Sequence, residues 1–290
     1  MTSTAGSTPG STTIGITGAT GHIGGQVARL LAADLPAGTS LRLLVRDASR
    51  APDLPGADVV EVQYGDPAAV EALTGVDVLL MVSAAESDDR VGEHRAFVEH
   101  AVEAGVGHLV YTSFVGATPD CGFLLGRDHA ATEEIIRGTG VASTFLRDNF
   151  YAEVFPLFAD DDGVLRGPAG HGLVAPVSRR DVAEVAAAVL RAPADHVGAT
   201  YDLTGPEALT LAEIADVLTE VTGRPHRFHD ETLEEARASR AHYGAPDWMV
   251  EAWISTYTAI RDGELAAVSD GVPRLLGRPA TSFREAVTPA

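Results

Sequence analysis

The chain has 290 residues, 45% of them apolar, which is enough for a sizeable core built as one large α/β unit with a smaller lobe. A formal net charge of −20 repels phosphate backbones, so no nucleic-acid partner is expected. All 21 lysine-plus-arginine positions are arginine. That excludes Schiff-base chemistry, the lysine of a Walker-type phosphate loop and every dehydrogenase mechanism that needs a lysine.

In chain order, residues 1–12 are rich in Ser, Thr, Gly and Pro and read as a flexible tail, with no signal-peptide pattern. Residues 13–17 form a short apolar strand that runs into glycines and then a helical pattern carrying Val27, Leu30 and Leu31. Strands follow at 41–45 and 59–62. Asp66 and Pro67 open a helix through Leu73. The unbroken apolar run 76–82 suits a strand buried on both faces. A helix at 90–104, a strand at 108–112, a helix at 127–137 and a strand at 142–146 complete a repeating β-α-β order. The expected fold is therefore α/β: a Rossmann-type, doubly wound parallel sheet with a smaller, mostly helical C-terminal lobe.

The Rossmann domain is expected over 13–150 and is rejoined by about 176–205, where a helix (180–190) and a strand (200–203) are read. The substrate lobe takes 151–175 and 206–290. It includes a capping box from Thr210 to Glu213 and the aromatic residues Trp248, Trp253 and Tyr257. The substrate cleft should lie between the two, beyond the carboxyl ends of the strands. No stretch approaches the roughly 20 apolar residues of a membrane span, so no membrane partner is expected. The single cysteine, Cys121, admits no internal disulfide and suits a reducing, cytoplasmic setting. A homodimer is a weak expectation, from frequency alone.

A dinucleotide needs its pyrophosphate brought against backbone N–H groups at a helix N-terminus. Gly18, Gly21 and Gly24 stand between strand and helix at the required spacing, and Thr20, His22 and Ile23 complete the turn. The residue type at the end of the next strand selects the cofactor: an acid holds the ribose hydroxyls of NAD, a base the 2′-phosphate of NADP. Arg46 occupies that position with Arg50 nearby, which favours NADP(H). Asp47 is ambiguous, since it can turn to the ribose or cap the turn.

The strand ending Tyr111-Thr112-Ser113 would, in ordinary short-chain dehydrogenases, precede a helix bearing Tyr-x-x-x-Lys. No such pair exists here. A positioned general acid contributes about 10²–10⁴ in rate. A ketone reductase needs that contribution, whereas a quinone accepts hydride readily and leaves as a stabilised phenolate. His129 is the best-placed substitute, as ribose contact or proton donor, and serves equally well as a structural helix histidine. His226 and His229 do not make a convincing metal pair, so no metal is expected. No Gly-x-Ser-x-Gly elbow is present.

Taken in order, Ile16 to Gly21, Val45-Arg46, Tyr64-Gly65-Asp66, Tyr111 to Ser113, His129 with Thr132-Glu133, Leu146-Arg147 with Tyr151, Arg179 to Asp181 with Ala183-Glu184, and Leu276 to Pro279 carry a resemblance. The chain resembles the NmrA-like atypical short-chain dehydrogenases and, within them, the NADPH:quinone oxidoreductase type 2 branch. The resemblance implies that the glycine loop holds pyrophosphate and that Arg46 meets the 2′-phosphate. It further implies that Ser83, Ala84 and Ala85 line the adenosine or ribose side and that Ser113 is a further cofactor contact. Asp148, Asn149, Phe150 and Tyr151 would lie along the nicotinamide and the substrate cleft. His129, Tyr151 and Asn149 are the candidate catalytic residues.

Phe150 and Tyr151 can sandwich a flat ring or belong to the lobe core. Phe123, Leu124 and Leu125 are candidates for an apolar wall. At Asp148-Asn149 the branch usually carries Asn-Gly, a departure next to the nicotinamide. The implied activity is hydride transfer from NADPH to a quinone or similar small flat aromatic electrophile, azo dyes included. A non-catalytic NADP(H)-binding redox sensor and a natural-product tailoring reductase are the alternatives.

Overall fold

A computed structural model describes residues 12–289. The expected tail lies outside the described residues except for Thr12, which already belongs to the first strand.

The Rossmann layer contains β1 (Thr12–Thr17), α1 (His22–Ala33), β2 (Thr39–Val45), β3 (Ala57–Glu61), α2 (Ala69–Leu73), β4 (Val78–Met81), α3 (Arg90–Glu103), β5 (His108–Phe114), α4 (Leu124–Thr139) and β6 (Ala142–Asp148). The chain then leaves the layer through β7 (Val164–Gly167) and β8 (Leu173–Val174), and returns with α5 (Arg179–Arg191) and β9 (Thr200–Leu203). It leaves again for β10 (Leu209–Thr210), α6 (Leu211–Thr222), β11 (Arg227–Asp230), α7 (Leu233–Arg240) and α8 (Asp247–Arg261), and ends with α9 (Gly271–Leu276) and α10 (Phe283–Val287).

Seven strands form one sheet in the order β3-β2-β1-β4-β5-β6-β9, every pair parallel. Parallel strands need crossovers, and the intervening helices supply them on both faces. Ile14 and Ile16 of β1 point to the face covered by α1 and α5, where Val27, Leu31, Val182 and Val189 close one core. Leu79 and Met81 of β4 point to the opposite face, against Phe97, Val98 and Ile136 of α3 and α4. All four residues of β4 are buried, which explains its unbroken apolar run. Strand order reverses between β1 and β4, and the crevice at their carboxyl ends is where this topology receives ligands.

The lobe has its own core of Phe155, Leu211, Ile214, Leu218, Ile260 and Phe283. One part of the chain expected in the lobe lies elsewhere. Val272 of α9 is buried in the α1/α5 core, and α9 packs on α5 and β9. Beyond it, Arg278 Nη2 bonds Asp181 Oδ1 at 2.7 Å and Glu184 Oε2 at 2.5 Å, and Thr281 N bonds Asp181 Oδ2 at 2.6 Å. Asp181 is fully buried at the start of α5. The chain thus returns to the Rossmann layer a second time before α10 rejoins the lobe core through Phe283. Among the described residues no helix is long and apolar enough to cross a membrane.

Candidate functional site

The glycine loop sits at the carboxyl end of β1. Gly18 has φ of +63°, a conformation costly for any residue with a Cβ. A Cβ at Gly24 would fall 2.5 Å from the Gly18 carbonyl oxygen and 2.6 Å from that of Thr17, so only glycine lets α1 start this close to the strand. Helix α1 has no side-chain cap and no acid in its first turn. Its first N–H groups, from His22 to Gly24, therefore keep their donor capacity, as an anion site requires. Thr20 is half-buried and Ile23 is buried beneath the loop, while Gly18, Gly21 and His22 are exposed.

Arg46 follows β2 directly. It and Arg50 are exposed, with no ion partner among the described residues. Asp47 is engaged. Its Oδ1 accepts from Ser49 Oγ at 2.6 Å and from Ser49 N at 3.0 Å, capping a short turn, and these bonds lower its pKa. The Asp47 ambiguity therefore resolves to capping. The cradle and the two open guanidiniums fit a dinucleotide bearing an additional phosphate.

The loop after β4 is tied down by buried polar groups. Ser83 N donates to Thr112 Oγ1 at 2.9 Å, and Ala84 N donates to His94 Nε2 at 2.9 Å. Ala85 is exposed beside them. A backbone N–H can only donate, so His94 Nε2 is an acceptor and Nδ1 carries the proton towards Thr132 Oγ1, 2.8 Å away. Burial, aided by Arg90, pushes His94 down to about 3. Arg90, itself buried, donates from Nε to the Ala84 carbonyl at 3.1 Å and faces His129 Nε2 at 3.4 Å.

The same logic puts the His129 proton on Nδ1, which meets the Tyr111 hydroxyl at 2.9 Å. Burial first, then Arg90 and His94, hold His129 well below the usual histidine range. His129 is thus neutral with both nitrogens occupied. This corrects the expectation of a proton donor near neutral pH: the ring is a strut under the β4 loop.

Ser113 is also committed inward. Its hydroxyl donates to Glu133 Oε1 at 2.5 Å, and Arg147 grips the same carboxylate at 2.8 and 2.7 Å. Burial alone would raise the Glu133 pKa, but the bonds from Arg147 and Ser113 bring it below its ordinary value.

At the carboxyl end of β6 four consecutive residues take different roles. Asp148 is buried, and its Oδ2 accepts from the Tyr151 hydroxyl at 2.8 Å while Oδ1 has no partner. Burial pushes its carboxyl up to about 8, against the pull of Tyr151. Asn149 Nδ2 donates to the Leu265 carbonyl at 3.0 Å, and its Oδ1 accepts from Phe150 N. The Leu265 bond fastens the lobe to the end of β6, a structural role beside the catalytic one expected of Asn149.

Phe150 and Tyr151 do not sandwich a ring. Extended backbone sends successive side chains to opposite sides. Phe150 faces Phe114 and Phe123 in the lobe core, whereas Tyr151 packs against the Rossmann core with Arg179 over its ring. Burial raises the Tyr151 hydroxyl well above its ordinary pKa, with the adjacent Asp148 adding to it.

A cavity of about 850 Å³ opens between the Rossmann layer and the lobe. Phe123, Leu125 and Phe150 form its Rossmann-side wall. Phe158, Tyr243, Trp253 and Tyr257 form the lobe side. Leu124 does not line it; it begins α4, its amide bonded to Ser255 Oγ at 3.0 Å. Trp253 Nε1 donates to Glu86 Oε2 at 3.3 Å and links α8 to the β4 loop. Glu86, Arg166 and Tyr243 were not singled out from sequence, because a loop, a four-residue strand and a short helical turn carry no periodicity that marks a cavity wall. Among the described residues no cluster of histidine, cysteine and acidic side chains can hold a metal.

The NmrA-like family model matches residues 10–249. The chain is 35% identical to an NAD(P)H azoreductase from Xenophilus azovorans, over 93% of this chain and 95% of that one. It is 32% identical to an NADPH-dependent quinone oxidoreductase from Escherichia coli, solved with NADPH, at a TM-score of 0.86 over 94% of this chain and 98% of the other. A triphenylmethane reductase from Citrobacter sp., solved with NADP(H), is 32% identical with a TM-score of 0.83, over 95% and 98% of the two chains.

Proposed function

Since the chain belongs to the NmrA-like family, we propose that it is an NADPH-dependent reductase that passes hydride to a flat electrophile such as a quinone or an azo compound. The carrying observation is an aromatic cavity of about 850 Å³ beside the carboxyl ends of a sheet whose first helix presents uncapped amides. When bound, the reduced nicotinamide supplies hydride. The amides of residues 22–24 hold the pyrophosphate, Arg46 and Arg50 grip the 2′-phosphate, and the braced loop 83–85 supports the ribose side.

Phe150 and the lobe aromatics receive the acceptor ring edge-on or offset and exclude water from it. A quinone needs little acid assistance, which accommodates the absence of a tyrosine–lysine pair. Burial pushes the Asp148 carboxyl up to about 8, which favours its protonated form at the end of β6. A cytoplasmic setting agrees with the single cysteine. The azoreductase and quinone-reductase relatives support an enzyme over a non-catalytic sensor.

The test follows nicotinamide absorbance with NADPH and NADH against benzoquinones and naphthoquinones, with cofactor binding measured by calorimetry. Turnover that prefers NADPH is expected. Tight NADPH binding with no turnover on any quinone overturns the reductase reading and favours the sensor.

A further inference from the structure

The charged residues lining the cavity are unequally compensated. Arg166 is paired with Asp160. Arg240 is paired with Glu231 at 2.9 Å and donates further to the Arg166 and Ala236 carbonyls, so its charge is spent. Glu86 alone among the charged lining residues has no ion partner among the described residues; its bond is to the neutral indole of Trp253. The same cavity is lined by Trp253, Tyr243, Tyr257, Phe150, Phe158 and Phe123, and aromatic rings favour positive charge over their faces. The net charge of −20 adds a field of the same sign.

From this ion accounting we infer that Glu86 is a specificity-determining residue that makes the cavity prefer flat aromatic cations over neutral or anionic rings of the same size. The inference rests on the reductase reading for what happens after binding, but charge selection itself needs no chemistry. A delocalised cation keeps its charge spread over the ring, so it loses little hydration on entering an aromatic cavity. The carboxylate at the rim then supplies the counter-charge. An anionic ring meets Glu86 without a free guanidinium to offset it.

The experiment titrates the NADP⁺-loaded protein with 10-methylacridinium, acridine and acridine-9-carboxylate at about pH 8, where an ordinary histidine is neutral. These three tricycles share a shape and differ in charge. Oxidised cofactor prevents hydride transfer during the titration. The expected order is cation, then neutral ring, then anion. Glu86→Gln keeps an acceptor for Trp253 and removes only the charge. It is expected to weaken the cation about three- to fivefold and leave acridine unchanged. Asp88→Asn, on an exposed residue outside the lining, controls for net charge and should alter nothing.

Equal affinity for all three rings, no binding of any of them, or an unchanged cation affinity in Glu86→Gln each overturns the inference. Turnover of a neutral naphthoquinone with NADPH is measured in parallel. Turnover without charge selection leaves the reductase reading standing and the inference refuted. Charge selection lost in Glu86→Gln, without turnover of any acceptor, does the reverse.

Discussion

Asp148 should make the protein lose stability as pH rises, opposite to the ordinary behaviour of a carboxylate. Its carboxyl sits at about 8 when folded, well above the ordinary carboxylate range, because burial penalises the charged form and one oxygen has no partner. The folded state therefore binds the proton more tightly than the unfolded state. The contribution is complete below the unfolded value and is lost as pH climbs to the folded one. At about 1.4 kcal/mol per pH unit, the gap between the folded and the ordinary value amounts to several kcal/mol across the window. Between about pH 5 and 7 the slope predicts a loss of about 3 kcal/mol.

Asp148→Asn cannot ionise and still accepts from Tyr151 through its amide oxygen. Denaturant unfolding of both proteins at several pH values isolates the effect, since the other titrating groups are shared. The variant should gain on the wild type as pH rises from 5 to 8. At the acid end it should be equal or weaker by about 1–3 kcal/mol, the cost of an unpartnered amide. Two curves separated by a constant from about pH 5 to 8 refute the assignment of a neutral buried acid.

Arg46→Ala should weaken NADPH by roughly 1.5–3 kcal/mol in calorimetry and leave NADH nearly untouched, because it removes a charge-assisted phosphate contact. Equal loss for both cofactors sinks the 2′-phosphate role. Gly24→Ala drives a Cβ to 2.5 Å from the Gly18 carbonyl; it should cost about 1–3 kcal/mol in unfolding and abolish cofactor binding. A variant that still binds NADPH normally shows that the helix need not start so close. His129→Gln should leave the shape of the pH–rate profile unchanged from about pH 6 to 8, since the histidine is already neutral there. Loss of an inflection in that range would restore the proton-donor role.

The sequence carried the sheet because its signals are local. The apolar run before Val82, the glycines after Thr17 and the cap at Thr210 each act within one element. The place of Arg46 at a strand end was legible for the same reason. Asn149 and Ser113 were not, because their partners, Leu265 and Glu133, lie far away in the chain and no pattern announces a pairing.

The stretches that carried the family resemblance proved to be largely internal ties. Thr132 serves His94, Glu133 serves Ser113 and Arg147, and Asp181 serves Arg278. A polar residue fixed by a buried network and one fixed by a substrate look alike in one dimension. Phe150 and Tyr151 show the converse limit: two adjacent aromatic residues suggest a ring sandwich, but a single step of extended backbone sends one ring to the cavity and the other to the opposite core.

The return of α9 to the α1/α5 core, sealed by Arg278 on Asp181, bears on how such a chain can be recombined. No single cut separates the cavity-forming lobe from the sheet, since lobe segments alternate with strands and helices of the sheet along the sequence. A graft carrying a different lobe would have to be spliced at several junctions together and would also have to preserve the arginine seal. New acceptor preferences in this architecture are therefore reached by point changes on the cavity wall, at positions such as Glu86 or Trp253, rather than by exchange of modules.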